Sequence, residues 1–214
     1  MGKSVVAAAV CAALAQRGEA VAAFKPVVTG LDDPPTSWPR DHELLAAAAG
    51  GWQTPEQVAP YRFGPPLSPH YAAELAGETI EPGRLLQAAR GLGSDRVLVA
   101  EGVGGLLVPI TPGYLVRDLA IDLGLPLLIA ARTGLGTINH TLLTVEAARS
   151  AGLAVAGVVM TPWPAEPQPI EVSNRATVER LAGVQVAGLP ATDPDSLAEA
   201  GSHLSLDEWL PAVS

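Results

Sequence analysis

The chain has 214 residues, which predicts one sizeable α/β domain and leaves little room for a second. Hydrophobic residues make up 48% and charged residues 16%, a composition that predicts a buried core and excludes general disorder. The net charge of −9 argues against a nucleic-acid surface, and the lone Cys11 excludes both an intramolecular disulfide and a cysteine cluster for zinc.

The chain opens on Gly2-Lys3-Ser4, ahead of an alanine-rich stretch that predicts a helix over residues 3–17. A glycine, a lysine and a hydroxyl residue at a helix start form the closing half of a phosphate-binding loop. In such a loop the lysine reaches the β- and γ-phosphates and the hydroxyl can hold magnesium. The full motif also needs a strand and another glycine ahead of these residues. The alternative interpretation is a helix that begins with this tripeptide by chance.

Residues 5–15 are apolar and superficially resemble a signal peptide, but no basic run precedes them and no cleavage site follows. No segment approaches the roughly 20 apolar residues that would span a bilayer. The sequence therefore predicts a cytoplasmic protein without a membrane partner.

Apolar runs and helical segments alternate along the rest of the chain. Strands are expected at residues 21–24, 96–100, 126–130, 154–160 and 184–187, and helices at 42–49, 70–76, 82–90, 115–123, after residues 134–140 as far as about 152, and 170–182, with small helices in the acidic C-terminal stretch. Residues 30–40, 53–70 and 161–164 are rich in proline and predict loops. This alternation predicts one domain over residues 1–214, with a mostly parallel sheet covered by helices on both faces.

Charged residues fall where predicted strands end. Lys25 follows the first strand, Glu101 follows a later one, and Asp41 precedes a helix that it could N-cap. Each has an ordinary explanation as a solvated lysine, a loop acid or a cap. Together with Lys3 and Ser4, however, they supply two cations and the ligands for a divalent metal, which phosphoryl transfer from a nucleotide requires.

The sequence closely resembles the dethiobiotin synthetase family, ATP-dependent enzymes of biotin synthesis with a P-loop α/β fold. The matching segments occur in the family's order across nearly the whole chain: Gly2-Lys3-Ser4, Lys25-Pro26-Val27-Val28-Thr29-Gly30, Asp41, Ser68-Pro69-His70, Glu101-Gly102-Val103-Gly104-Gly105 and Thr137-Ile138-Asn139-His140. The resemblance implies a homodimer acting on 7,8-diaminopelargonate, carbon dioxide and Mg-ATP.

The resemblance also implies a role for each matching position. Lys3 and Lys25 would stabilise the transferring phosphoryl group and a substrate carbamate, and Ser4, Asp41 and Glu101 would hold Mg²⁺. The remaining positions would bind ligands: Thr29 the diamine; Gly136, Thr137 and Asn139 the substrate carboxylate across the dimer interface; Gly2, Gly102 and Gly104 the phosphates; and Thr161, Gly188, Leu189 and Pro190 the base.

Two departures from the family pattern matter. Many members have asparagine where this chain has Thr161, which cannot offer the base a paired donor and acceptor, so selectivity for ATP over other nucleoside triphosphates is expected to be relaxed. The family also has a central strand and further loop residues ahead of Gly2. Without them two neighbouring strands would lack a partner, and we expect the natural protein to be roughly ten residues longer.

Other functions remain open at this point. They are an amide-forming synthetase of the cobyrinate-diamide type, which normally carries an additional glutaminase domain; a nucleotide-dependent partitioning switch; and an inactive remnant. Phosphate release that depends on diaminopelargonate would distinguish the synthetase from the switch.

Overall fold

The computed structural model describes residues 2–34 and 36–210 and confirms the α/β class. The helices are α1 (Lys3–Gln16), α2 (Asp41–Ala48), α3 (Pro55–Val58), α4 (Pro69–Ala76), α5 (Pro82–Leu92), α6 (Val116–Leu123), α7 (Thr137–Ser150), α8 (Pro169–Ala182), α9 (Leu197–Ser202) and α10 (Leu206–Trp209). The strands are β1 (Val21–Phe24), β2 (Val27–Val28), β3 (Tyr61–Arg62), β4 (Val97–Ala100), β5 (Pro109–Thr111), β6 (Tyr114–Leu115), β7 (Leu127–Ala131), β8 (Val155–Trp163) and β9 (Val186–Pro190).

Two parallel sheets form the centre of the fold. One pairs β1 with β4, and the other has the order β7-β8-β9. Val97 and Val99 of β4 pack against the core around α1, as do Leu128 and Ala130 of β7. Among residues 2–34 and 36–210, no strand pairs with the free edge of β4 or of β7. The helix α1 therefore links two parallel sheets that are not hydrogen-bonded to each other.

The alanine-rich sequence of α1 allows neighbouring helices to approach it closely. Its buried residues run from Val6 to Cys11, followed by Ala13 and Leu14, and they pack against α2 and α9. On α9, a Cβ added at Gly201 would overlap the carbonyl oxygen of Ala9. Small side chains on both helices are therefore required for this crossing.

Side chains close the outer edge of β1. The N–H of Ala23 donates to Oε1 of Gln53 at 2.7 Å, and Nε2 of Gln53 donates to the carbonyl oxygen of Ala23 at 3.0 Å. Two residues earlier on β1, the carbonyl oxygen of Val21 accepts a hydrogen bond from Nε1 of Trp52 at 2.7 Å. The buried Gln53 thus replaces a neighbouring strand.

Replacing Gln53 by leucine should destabilise the protein by about 3 kcal/mol, because a buried N–H and a buried C=O both lose their partner. Chemical denaturation would measure the change in the free energy of unfolding. The control is Gln87→Leu, which makes the same replacement at an exposed position of α5 and should change stability little. Equal midpoints for the two variants would contradict this account of the β1 edge.

Three expectations from the sequence need correction. Asp41 is not an N-cap: it is the first residue of α2, Arg40 is the N-cap, and the Asp41 carboxylate instead pairs with Lys25. The strand predicted at 154–160 continues to Trp163 because Trp163 pairs with Pro190 past an irregularity in the register. For the same reason the last strand runs over 186–190 rather than 184–187.

Candidate functional site

One cavity of about 300 Å³ gathers seven of the residues predicted to form the site. Its walls are Lys3, Ser4, Lys25, Thr29, Asp41, Glu101, Val103 and Gly104. Lys25 and Glu101 directly follow β1 and β4, and because these strands are parallel, their carboxyl ends meet at one edge. The N-termini of α1 and α2 add Lys3, Ser4 and Asp41. The structure therefore brings together the strand-end residues that the sequence analysis singled out.

The ammonium of Lys25 lies between two carboxylates. Its Nζ donates to Oδ2 of Asp41 at 2.6 Å and to Oε1 of Glu101 at 2.7 Å. The hydroxyl of Ser4 donates to the same Glu101 oxygen at 2.8 Å. Lys25 and Glu101 are both buried, with side chains 6% and 3% exposed, so these charges are sheltered from water.

Burial and pairing set the protonation of this cluster. Burial lowers the pKa of Lys25, but the charges of Glu101 and Asp41 outweigh it, so the pKa is raised and the ammonium persists. Burial also acts to raise the pKa of Asp41, yet the Lys25 charge prevails and the pKa is lowered. Both groups therefore carry charge at neutral pH.

Glu101 and Lys3 have their ordinary pKa values shifted by burial. Desolvation raises the pKa of Glu101, with the Lys25 ion pair opposing it, and the bonds from Lys25 and Ser4 favour the carboxylate. Desolvation lowers the pKa of Lys3, with Lys25 adding repulsion and Glu101 attraction. Lys3 makes no ion pair with either carboxylate among the described residues. Its cation is therefore available to an anionic ligand.

The donor set at this edge fits magnesium. The second Glu101 oxygen, Oε2, is buried and has no hydrogen-bond partner among the residues that the structure covers. Carboxylate and hydroxyl oxygens are the ligands that Mg²⁺ prefers. Within the same residues, no three His, Cys, Asp or Glu side chains lie together as possible metal ligands, and Mg²⁺ commonly uses one or two carboxylates with water and phosphate oxygens. A metal held here would thus use Ser4, Asp41 and Glu101, together with water or ligand oxygens.

Arg40 fixes the loop that follows Thr29, a role that the sequence does not reveal. Its guanidinium donates to the carbonyl oxygens of Gly30 at 2.9 Å, Leu31 at 3.0 Å and Asp33 at 2.5 Å. Arg40 is also the residue immediately before Asp41. One side chain therefore ties the Thr29 wall of the cavity to the start of α2.

The residues predicted beside the nucleotide base lie next to the cavity rather than in it. Thr161 is buried, and a Cβ added at Gly2 would overlap its methyl group. Gly188 lies against the Trp163 ring, where an added Cβ would approach to 2.5 Å, and Leu189 and Pro190 complete β9. The start of α1 thus touches the turn predicted to flank the base.

The loop predicted to bind the substrate carboxylate is also separate from the cavity. Gly136 and Asn139 are exposed, while Thr137 is buried. From α8, Nδ2 of the buried Asn174 donates to the carbonyl oxygens of Thr133 at 2.9 Å and Gly134 at 3.3 Å. Asn174 therefore anchors this loop. The sequence does not reveal this role, because the bonded residues are about 40 positions apart.

A second cavity of about 420 Å³ lies between α6 and α7. It is lined by Leu107, Arg117, Ile121, Ala147, Ser150 and Ala151. The exposed Leu143 lies one turn before Ala147 on the same face of α7. We call this set of residues the α6–α7 face.

Known proteins of one kind match almost the whole chain. The AAA domain family matches residues 1–195. The ATP-dependent dethiobiotin synthetase BioD of Anaeromyxobacter dehalogenans (strain 2CP-1 / ATCC BAA-258) is 40% identical over 94% of this chain and 90% of its own length. The chain belongs to the ATP-dependent dethiobiotin synthetase family. The corresponding protein of Mycobacterium avium (strain 104) is 41% identical over 100% of this chain and 94% of its own length.

Among solved structures, a ParA family ATPase from Chlorobium tepidum TLS covers 96% of this chain, and the alignment spans 87% of that protein, at 14% identity with a TM-score of 0.48. Membership of the synthetase family therefore rests on the sequence relatives. In the part of the chain with described coordinates, no helix is both long and apolar enough to cross a bilayer.

Proposed function

We propose that this chain joins 7,8-diaminopelargonate and carbon dioxide into the cyclic urea of dethiobiotin, at the expense of ATP. The observation that carries the proposal is the cavity that brings Lys3, Lys25, Asp41 and Glu101 together at the ends of two parallel strands. The relatives that are 40% and 41% identical are ATP-dependent dethiobiotin synthetases, which supports the same reaction.

The reaction needs cations more than it needs acid–base groups. One substrate amine adds to carbon dioxide and, with loss of a proton, forms a carbamate, whose oxygen then takes the γ-phosphoryl group of ATP as ADP leaves. The second amine attacks the carbamate carbon, loses a proton, closes the ring and expels phosphate. Lys3 and Lys25 neutralise the charge that builds on the transferring phosphoryl group and hold the carbamate, and Thr29 binds the diamine or its carbamate.

Ser4, Asp41 and Glu101 would hold magnesium, directly or through water. When bound, the metal neutralises phosphate charge and orients the triphosphate. The orphaned Oε2 of Glu101 supports this assignment, since a buried carboxylate oxygen without a donor is costly unless a cation meets it.

The nucleotide would extend from the cavity along the start of α1. Gly2, Gly102 and Gly104 would lie beside the phosphates, and the ends of β8 and β9, at Thr161 and Gly188–Pro190, beside the base. The Thr161 side chain is buried against Gly2 and is poorly placed to read a base edge. We therefore expect other nucleoside triphosphates to replace ATP in part.

The deciding experiment measures dethiobiotin by mass spectrometry with diaminopelargonate, bicarbonate and Mg-ATP, and phosphate release in parallel. Product that requires all three substrates, with phosphate release that requires the diamine, is the expected result. Phosphate release that ignores the diamine would favour the partitioning switch, and a folded protein that makes no product would favour the inactive remnant.

We also propose that a further strand lies between β4 and β7 in the working enzyme and leads into Gly2. The unpaired edges of these two strands, both resting on α1, support this proposal. The same assay should compare the 214-residue chain with a form that continues upstream in frame. Equal activity of the two forms would count against the additional strand, and so would a stop codon immediately upstream.

A homodimer would complete the site. The loop at Gly136, Thr137 and Asn139 does not line the cavity of its own subunit, which is the arrangement expected if the partner subunit supplies it. The apolar α6–α7 face offers a surface for pairing, and a two-fold interface repeats each side chain on both partners. The cytoplasmic location and the lack of nucleic-acid partners stay predictions from the sequence.

Replacing Leu143 by glutamate should shift the protein toward monomers and lower its activity, because a two-fold axis would bring introduced charges together on an apolar surface. Sedimentation velocity would report the oligomeric state. The matched control is Leu75→Glu, at an exposed leucine of α4, which should leave both properties unchanged. A Leu143→Glu variant that stays dimeric would exclude the α6–α7 face as the interface.

A further inference from the structure

Lys25 holds a position that a divalent metal would need. Its Nζ lies 2.6 Å from an Asp41 oxygen and 2.7 Å from a Glu101 oxygen, which are the two carboxylates proposed as metal ligands. The Ser4 hydroxyl bonds the same Glu101 oxygen. Two of the three proposed ligands therefore pair directly with one ammonium group, and the third, Ser4, bonds one of them.

Simultaneous contact of a metal ion and the Lys25 ammonium with these carboxylate oxygens would be electrostatically unfavourable. Two cations that contact the same carboxylate oxygen would lie within a few ångströms of each other, and beside the buried Glu101 carboxylate their repulsion would be only partly screened. The lysine side chain has a flexible four-carbon stem, so its ammonium can move where a backbone donor could not. Thr29 and Gly104 line the same cavity as Lys25, so the cavity offers the ammonium other polar surroundings.

We propose that Lys25 is the resident counter-ion of the metal-ligand set, and that a divalent metal exchanges with it. On exchange, the Lys25 ammonium leaves Asp41 and Glu101 and enters the cavity on the Thr29 side. The inference rests on the proposed function, since it takes its metal ligands from there. Its consequence is an order of events, because the cation that stabilises carbamate and phosphoryl group becomes available only after metal has bound.

The lysine content of the chain makes this exchange directly measurable. Lys3 and Lys25 are the only lysines in 214 residues, and every other side chain of fixed positive charge is an arginine. Brief acetylation of the native protein, read by peptide mass spectrometry, therefore reports on these two amines and the N-terminus alone. Lys25 is buried and ion-paired without metal, so its acetylation should be slow.

The experiment compares acetylation with and without saturating Mn²⁺, after a paramagnetic-resonance titration has established that Mn²⁺ binds. We expect the Lys25 rate to rise about fivefold or more with Mn²⁺, by the exposure of a buried amine, while the Lys3 rate does not rise. Bound Mn²⁺ with an unchanged Lys25 rate would overturn the exchange but leave the proposed function intact. Absence of Mn²⁺ binding would remove the metal assignment and this inference with it.

Two variants test the same idea by affinity. Lys25→Met should bind Mn²⁺ about tenfold more tightly than the unmodified protein, because the metal no longer has to displace a cation. Lys3→Met removes one positive charge from the same cavity but no ion pair to Asp41 or Glu101, so its effect should be clearly smaller. An equal increase in Mn²⁺ affinity in the two variants would indicate a general effect of removing one positive charge, and it would overturn the exchange.

Discussion

Replacing Lys25 by methionine should lower kcat for dethiobiotin formation by about a thousandfold or more, which is the scale of losing a main cation in phosphoryl transfer. Methionine keeps the length and the apolar stem of the side chain but cannot neutralise the carbamate or the transferring phosphoryl group. The two carboxylates that Lys25 now pairs at 2.6 and 2.7 Å would also repel each other in the metal-free state.

The control for this variant is Arg17→Met, which changes the net charge equally at the exposed ion pair with Asp207 and should retain normal activity. Lys25→Arg should recover little, because a planar guanidinium does not fit where an ammonium bridges two carboxylates. Circular dichroism would confirm that each variant is folded. A folded Lys25→Met variant whose kcat stays within about tenfold of normal would exclude a direct role for this amine in the transition state.

Replacing Gly201 by alanine should destabilise the protein by about 3 kcal/mol, a large effect for one added methyl group. The new Cβ would meet the carbonyl oxygen of Ala9 on α1, and a backbone atom inside a helix cannot rotate away. To accommodate it, α9 would have to move off α1 and expose part of the core around Leu197 and Leu14.

Gly91→Ala provides the matched control because Gly91 is also helical, in α5, and an added Cβ there meets nothing within 4 Å. It should leave stability unchanged or raise it by up to about 1 kcal/mol, since alanine favours helix more than glycine does. Denaturant titrations of both variants would measure the change in the free energy of unfolding, provided that the dependence on denaturant concentration is the same for both. They would test the close contact between α1 and α9. A Gly201→Ala variant as stable as Gly91→Ala would mean that α9 moves freely against α1.

Local patterns were sufficient to predict most of the elements. The alanine-rich run of α1 and the apolar runs of β1 and β4 were located to within one residue, because composition and flanking glycine or charge mark their ends. The short strands β2, β3, β5 and β6 and the one-turn helix α3 carry no periodic signal, and the sequence did not predict them. The tails of β8 and β9 were read as turns, because proline at 162 and 190 suggests a loop when strand pairing is not visible.

The strand order expected from the sequence was sufficient to predict the central residues of the candidate site. It was not sufficient to predict the residues that hold the surrounding loops in place. Lys25 and Glu101 could be placed together because parallel strands bring their carboxyl ends to one edge. Gln53, Arg40 and Asn174 instead act through hydrogen bonds to backbone groups that are distant in the sequence or lie across an irregular loop. The local sequence around a glutamine, arginine or asparagine gives no sign of such a bond. Long-range side-chain contacts of this kind become visible only in the folded chain.

The free edge of β4 has a consequence for amide hydrogen exchange. The N–H groups of Val97 and Glu101 donate to the carbonyl oxygens of Ala20 and Phe24, both at 2.8 Å, whereas strand alternation turns the amides of Leu98 and Ala100 away from β1. Deuterium should therefore enter this strand at every second residue. The slow amide of Glu101 then reports on the β1–β4 pairing beside the candidate site, while the amides of Leu98 and Ala100 report on any segment that pairs with the other edge of β4.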